Sequence, residues 1–394
     1  MLDFCIIGGG ASGLVAAVAA AGQGSGKSVL VLEKKPLPGK KLAATGNGKC
    51  NLTNRACPGA KETLAFFASI GIFTRTEEQG RVYPYAMQAK DVVYALVERA
   101  KGLGVEIRTE CPVRQVKKIE EGFQVDYEGG CLKAHSVLIA AGGKAGPQFG
   151  SAGDGYVMAK ALGHHVTRLA PVLTGLETTV DISHLKGIRV KARVFLKKDG
   201  RQTAEEQGEV QFNQDGLSGI CVMNLSRSVK LKPGEAFAEG MARYSVCVDF
   251  LPDLDLYQTK RMLMERGGIP GMKGEDLLLS VVPDKLKQEL ISAAGISPRQ
   301  GARDISPAKQ EVLSHLLKSW ELPLKGTGGW KKAQCTAGGV SLEEIHMDTM
   351  ESKFVPGLYF AGEIIDYDGP CGGFNLQNAW ETGIKAGKAA AHVL

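Results

Sequence analysis

Three features of the 394-residue chain predict a mixed α/β fold. The N-terminus reads as strand, glycine turn, helix, strand. Residues 172–320 change to short alternating segments and then to helical periodicity. Residues 333–394 return to α/β character. The simplest architecture is a discontinuous Rossmann-like domain built from both ends of the chain, carrying an inserted β-barrel-like plus helical region. The expected boundaries are 1–170 with 333–394 for the discontinuous domain, 171–254 for a β-rich domain and 255–332 for a small helical domain.

Taken in order, Asp3–Ile7 is a short apolar strand and Ala11–Ala21 a helix of small residues suited to close packing on a sheet. Ser28–Glu33 is a second apolar strand ending on an acid, so the three form one βαβ unit with a right-handed crossover. Helical spacing of Ala89, Val92, Val93, Leu96, Val97 and Ala100 predicts a helix, followed by a strand at 105–110. Strands at 123–127 and 136–141 flank the turn at Gly129-Gly130. In the insert, Gly187–Leu196, Gly208–Phe212 and Tyr244–Phe250 alternate as strands. Ser306-Pro307 starts a helix, with a hydroxyl cap and a proline in the first turn. A Gly/Lys-rich connector spans Lys325–Lys332, a strand follows at Gly357–Ala361, and a helix closes the chain from Asn375 to His392.

Composition narrows the class. Apolar residues make up 44% of the chain, too many for disorder. Glycine, at 51 residues, exceeds its ordinary share of roughly 7%, which points to loops that approach a ligand closely. Lys and Arg outnumber Asp and Glu by 48 to 42, a mild +6 that permits anionic ligands or RNA. Nine cysteines with no C-x-x-C fit free thiols in a reducing cytoplasm, and no apolar run approaches the ~20 residues that span a bilayer. The expectation is a soluble cytoplasmic protein without a membrane span or a metal site. His164-His165 follows a glycine at a helix end and reads as structural.

Gly8-Gly9-Gly10-Ala11-Ser12-Gly13 matches G-x-G-x-x-G between a strand and a helix, the context that a dinucleotide-binding turn requires. The first glycine allows the turn, the second lets backbone approach a pyrophosphate, and the third lets helix and strand pack closely. Glu33 lies twenty residues beyond Gly13, where an acid binds a ribose diol. Both FAD and NAD use this unit. Three further stretches select FAD: the polar loop Thr45–Asn54, the strand end Ala140–Gly143, and Gly357–Glu363 leading into Gly372–Gln377 and the final helix.

Together these stretches resemble two-dinucleotide-fold flavoproteins, and most closely the BaiN/YhiN-like family of FAD-dependent oxidoreductases, over nearly the full length. The resemblance implies that Gly8, Gly10, Ala11, Ser12 and Gly13 hold the pyrophosphate and that Glu33 with Lys34 surrounds the adenosine ribose. It puts Lys41, Thr45, Gly46, Asn47, Cys50 and Asn51 along the pyrophosphate and flavin approach. Val113 meets the adenine, Ala141-Gly142 cover the adenosine, and Gly362-Glu363 lie by the ribityl chain. Gly373, Phe374, Asn375 and Leu376 set a helix N-terminus against the pyrimidine end of the flavin, where reduction deposits negative charge. The chain departs from the family in a longer loop between Ala21 and Val29. It also departs at Asn213–Ile220, which lacks the flanking Thr-His and Pro.

There is no second Gly-rich nucleotide unit, so NAD(P)H is expected as a transient donor docking at the flavin. Two catalytic candidates emerge. Cys50 reads as a general acid for C=C reduction or as a small packed residue. Arg81, in Arg81-Val82-Tyr83-Pro84, reads as a cation for the substrate or as packing at a helix entry. Arg189, Lys191 and Arg193 fall on one face of a strand, which tracks an RNA backbone or is a solvated face guarding an edge. No aromatic interleaving supports base stacking there. The resemblance implies hydride transfer from NAD(P)H through flavin to an activated C=C bond of a small apolar steroid or bile-acid enone. Alternatives are uridine reduction in ribosomal RNA, a flavin-holding module without turnover, and an oxidase.

Overall fold

The computed structural model describes residues 1–24, 26–232 and 234–392. Ser25, within the longer loop after Ala21, lies outside the described residues. The chain divides into two compact units, Met1–Val172 with Ala333–Leu394, and Leu173–Lys332.

The first unit is built on a seven-stranded sheet. Leu2–Ile7 is its centre, pairing in parallel with Val29–Leu32 on one side and with Gly130–Ile139 on the other. Glu106–Arg108 extends the parallel edge beyond Val29–Leu32. All four residues of Val29–Leu32 are buried, as a parallel strand covered on both faces requires. Gly130–Ile139 has two kinds of partner. Its first half closes the antiparallel meander with Gly122–Tyr127 and Val113–Ile119. Its last residues pair in parallel with Leu358–Phe360, so a strand from the C-terminal segment completes the sheet. The mixed sheet thus joins residues more than 300 positions apart.

The first helix, Ala11–Ala21, is buried along nearly its whole length and packs on the last helix, Phe374–His392. The contact is backbone to backbone. A Cβ on Gly383 would lie 2.4 Å from the Ser12 carbonyl oxygen, and one on Gly387 would lie 2.3 Å from that of Ala16. The small residues of the first helix are therefore matched by glycines four apart on its partner.

A small three-stranded sheet, Thr53–Asn54, Arg81–Pro84 and Thr74–Thr76, has no counterpart in the sequence reading. Arg81–Pro84 is thus its central strand and not the entry to a helix, which begins at Ala89. His164 is structural. Its ring is buried, hydrogen-bonded to Glu344 and Ser352 at 3.0 Å each, and stacked on Phe354. Among the described residues no cluster of His, Cys, Asp and Glu is arranged to hold a metal, and no helix is long and apolar enough to cross a membrane.

The second unit is a closed antiparallel barrel of six strands. Around the ring they run Leu176–Thr178, Gly216–Ser218, Arg201–Phe212, Arg189–Lys198, Tyr244–Asp249 and Trp320–Thr327. Its interior and the helices Leu256–Gly267, Asp284–Ala293 and Pro307–Lys318 share one hydrophobic cluster, so the line drawn at residue 254/255 does not separate two cores. Trp320–Thr327 also takes the first part of the expected connector into the barrel, pairing with Tyr244–Asp249 and Leu176–Thr178. Ser306 caps the Pro307–Lys318 helix.

The glycine packing yields a sharp contrast. Gly387→Ala should lower stability by about 1–3 kcal/mol, because its methyl has only backbone to displace. Gly102→Ala meets nothing within 4 Å inside a helix, and should be neutral or stabilising by up to about 1 kcal/mol. Urea unfolding of the two variants measures the difference.

Candidate cofactor site

The glycine turn at residues 8–13 is fixed by what surrounds it. Gly8 has φ +107°, and a Cβ there would sit 2.5 Å from the Ala140 carbonyl oxygen and 3.0 Å from the Ala141 Cα. A Cβ on Gly13 would lie 1.9 Å from the Gly8 oxygen, which no side chain survives. Gly10, by contrast, has nothing within 4 Å of the same construction. Two glycines are sealed by backbone and the one between them faces open space, which is the cradle a pyrophosphate needs. Gly10 caps the first helix with no side-chain hydrogen bond, and the first turn carries no acid. Among the described residues, then, no side chain caps the N–H groups of this first turn.

Glu33 stands at the end of Val29–Leu32. One carboxylate oxygen accepts the Gly9 N–H at 2.8 Å and the other the Lys35 N–H at 2.8 Å. These bonds orient the group and leave lone pairs for a diol. Lys34 instead forms an ion pair with Asp154. Val113 opens the meander opposite Tyr127. Gly142, at φ +73°, continues the strand end that presses on Gly8.

The loop from Thr45 is strained. Gly46, Asn47 and Gly48 take left-handed backbone in succession, and Cys50 does so at φ 57°. For a residue with a Cβ this costs of order 1–2 kcal/mol and persists only where surroundings enforce it. Cys50 is fully buried, and burial pushes its thiol up to about 12. Beside it, Asn51 Oδ1 is buried with no hydrogen-bond donor. FAD carries N–H and O–H donors and a pyrophosphate, so the open cradle, the unpartnered helix N-terminus and this orphaned acceptor all fit it.

Lys41 and Glu363, 322 residues apart, meet as an ion pair at 2.5 Å, with Lys41 also donating to the Ala145 carbonyl at 2.9 Å. Glu363 accepts the Thr336 N–H at 2.9 Å through its other oxygen. Thr336 Oγ1 in turn accepts the Lys144 and Ala145 N–H groups at 2.8 and 3.0 Å. Glu363 is therefore committed on both oxygens, and Thr336 is a supporting residue that sequence reasoning missed. Ser12, expected at the pyrophosphate, turns its hydroxyl away to the Ala361 carbonyl at 3.2 Å and leaves only backbone to the cradle.

The last helix is locked to the Thr45–Asn54 loop. Trp380 Nε1 donates to the Leu52 carbonyl at 2.8 Å, and Gln377, almost fully buried, bonds Thr53 and Thr63. Gly373 has φ +103°, and a Cβ there would strike the Thr53 carbonyl. Asn375 spends its amide on the loop before the helix, accepting the Gly369 N–H at 2.8 Å and donating to the Gly369 carbonyl at 2.9 Å. Phe374 and Leu376 complete the first turn. Arg81 is brought here too. Its Nε lies 3.8 Å from where a Cβ of Gly372 would be, and Asn54 Nδ2 donates to the Gly372 carbonyl at 3.0 Å.

Arg189, Lys191 and Arg193 do share the outward face of their strand, while Ala192, Val194 and Leu196 point inward. The face is largely compensated. Arg189 pairs with Glu209 at 3.3 Å, and Arg193 pairs with the buried Asp249 at 2.8 Å.

Two family models match the chain. One, described as the HI0933-like protein Rossmann domain, covers residues 59–389; the other, an NAD(P)-binding Rossmann-like domain, covers residues 6–52. A 3-dehydro-bile acid delta(4,6)-reductase of Clostridium scindens is 37% identical over 98% of each chain. A ribosomal RNA dihydrouridine synthase of Escherichia coli is 31% identical over 96% of each. Among solved structures, a 3-ketosteroid-delta4-(5alpha)-dehydrogenase from Rhodococcus jostii superimposes with a TM-score of 0.50 at 16% identity, covering 99% of this chain and 96% of that one. That likeness speaks to the fold alone. On the length of the family match and the identity to full-length relatives, the chain belongs to the HI0933-like, BaiN/YhiN-type family of FAD-dependent oxidoreductases.

Proposed function

We propose that this flavoprotein passes a hydride from NAD(P)H, by way of FAD, to an activated C=C bond of a small apolar enone. The observation that carries the reading is the full-length identity to a bile-acid reductase, taken together with a cradle whose open and sealed glycines suit FAD. The chemistry that bound FAD supplies is a two-electron relay: one hydride in from NAD(P)H and one hydride out to the enone β-carbon. The α-carbon takes a proton, leaving NAD(P)⁺ and the saturated product.

The chain's own residues have distinct parts in this proposal. Gly8, Gly10, Ala11, Gly13 and the backbone of Ser12 hold the pyrophosphate, and Glu33 the ribose. Lys41 and Glu363 brace the ribityl side with Thr336, while Thr45, Gly46, Asn47 and Asn51 shape the flavin approach. Val113, Ala141 and Gly142 border the adenosine. The first turn at Gly373, Phe374, Asn375 and Leu376 offers N–H groups to negative charge. Arg81 polarises the substrate carbonyl as a fixed cation. Cys50 is the packed side chain of the strained loop; its thiol stays protonated through neutral pH because burial raises it above its ordinary value.

Anaerobic titration with NADH and then NADPH should bleach the oxidised-flavin absorbance, and the reduced protein should then saturate an enone. A flavin that stays yellow with both donors refutes the NAD(P)H step. Cys50→Ala should keep turnover within about fivefold and leave the pH–rate profile unchanged below pH 10. A loss of 100-fold or more would make Cys50 the proton donor.

A second reading, uridine reduction in ribosomal RNA, is favoured by the 31% identity to the Escherichia coli enzyme. Its test must spare Arg193, which neutralises buried Asp249. Arg189→Gln with Lys191→Gln should leave enone turnover and heparin retention nearly unchanged. Reduction of rRNA uridine by the parent protein and its loss in this variant would overturn the small-molecule reading.

A further inference from the structure

The small three-stranded sheet has a face of which the reading above uses Arg81 alone. Along Arg81–Pro84, Val82 and Pro84 are buried, so Arg81, Tyr83 and the following Tyr85 share the opposite side. Arg75 lies directly across from Tyr83 in the neighbouring strand, which adds Phe73, Arg75 and Glu77 to the same face. Phe73 and Tyr85 meet with ring centroids 5.1 Å apart and are 74% and 56% exposed, which is unusual for two large rings packed on each other. The Arg75 guanidinium sits 5.6 Å over the Tyr85 ring and holds Glu77 at 2.8 Å.

This face begins at the cofactor site. Tyr83 Cε1 is 3.8 Å from where a Cβ of Gly46 would lie, and Arg81 is equally close to Gly372. From Arg81 to Tyr85 it then runs four residues outward, roughly 13 Å of strand. Rings and guanidinium groups alternating over that length suit an elongated ligand with π-faced ends and phosphates between them. Arg75 and Arg81 against Glu77 leave the face net positive, which favours a phosphate-bearing ligand.

We propose that this aromatic–guanidinium face is the docking site of the nicotinamide dinucleotide donor, with the adenine on Phe73 and Tyr85, the phosphates on Arg75, and the nicotinamide end toward Arg81. The proposal rests on the NAD(P)H reading above.

Calorimetric titration of the FAD-loaded protein with NAD⁺ and NADP⁺, which bind without turnover, tests it directly. Phe73→Ala with Tyr85→Ala should weaken the preferred dinucleotide about tenfold or more, and Arg75→Gln should weaken it separately. FAD content and bleaching by dithionite, which needs no docking site, serve as the folding controls. If NAD(P)H bleaches the parent protein but the variants bind dinucleotide as tightly as the parent, the docking site is wrong and the donor reading survives. If neither donor bleaches the parent, both fall. A variant that keeps dinucleotide affinity but loses a uridine-rich single-stranded oligonucleotide would overturn the proposal in favour of RNA.

Discussion

Backbone meeting backbone without an intervening side chain is the constraint on which the first unit depends. It occurs at Gly8 against Ala140, at Gly373 against Thr53, and along Gly383 and Gly387 against the first helix. Each contact joins segments far apart in sequence, and each admits only hydrogen at the Cα. Among the described residues no side chain caps the first helix N-terminus, and the space at Gly10 is open, so its N–H groups face room for an anion. The packing that holds the two ends of the chain together is thereby also what creates the binding cradle.

Polar contacts then fix what packing brings near. The side chains of the Lys41–Glu363 pair are 25% and 18% exposed, and their charges are further held by the Ala145 carbonyl and the Thr336 N–H. Breaking one member of such a set costs more than the pair contributes, because the other is left desolvated. Gln377 has the same logic in neutral form, a buried amide whose bonds to Thr53 and Thr63 tie the last helix to the strained loop. Strain at Asn47 and Cys50 persists because that helix and loop are locked from both sides.

These same facts explain what was legible from residues alone. Gly8, Gly13 and Gly373 stand out in the sequence because steric prohibition leaves a local mark: glycine where nothing else fits. Thr336, Gln377 and the pairing of Lys41 with Glu363 left no such mark, since each is a polar contact between distant segments with no period or spacing. The small sheet escaped for another reason. Its strands are two to four residues long, too short for an alternation to stand out. Trp320–Thr327 does alternate buried and exposed, but Pro323 and Gly326 disguise it as a connector. The one-sided pattern of Arg189, Lys191 and Arg193 is legible from alternation; their acidic partners, Glu209 on the paired strand and Asp249 on the other side, depend on register and are not.

The relatives sharpen where acceptor choice resides. Of the relatives that match this chain over nearly their full lengths, one by name reduces a bile acid and another works on ribosomal RNA. A cradle dictated by backbone contact cannot carry that difference, because its sealed glycines forbid variation in any chain that uses it. Variation between chains that share such a cradle falls instead on side chains that the fold leaves free to change. On the first unit the half-buried Arg81 and Tyr83, beside Gly372 and Gly46, and the exposed Phe73, Arg75 and Tyr85 are of this kind. They belong to a small sheet whose central strand has its buried side, Val82 and Pro84, fixed by packing, so the outer face accepts substitution without disturbing the packed side. A rigid backbone cradle beside a substitutable outer face lets one fold carry different sites without changing its core.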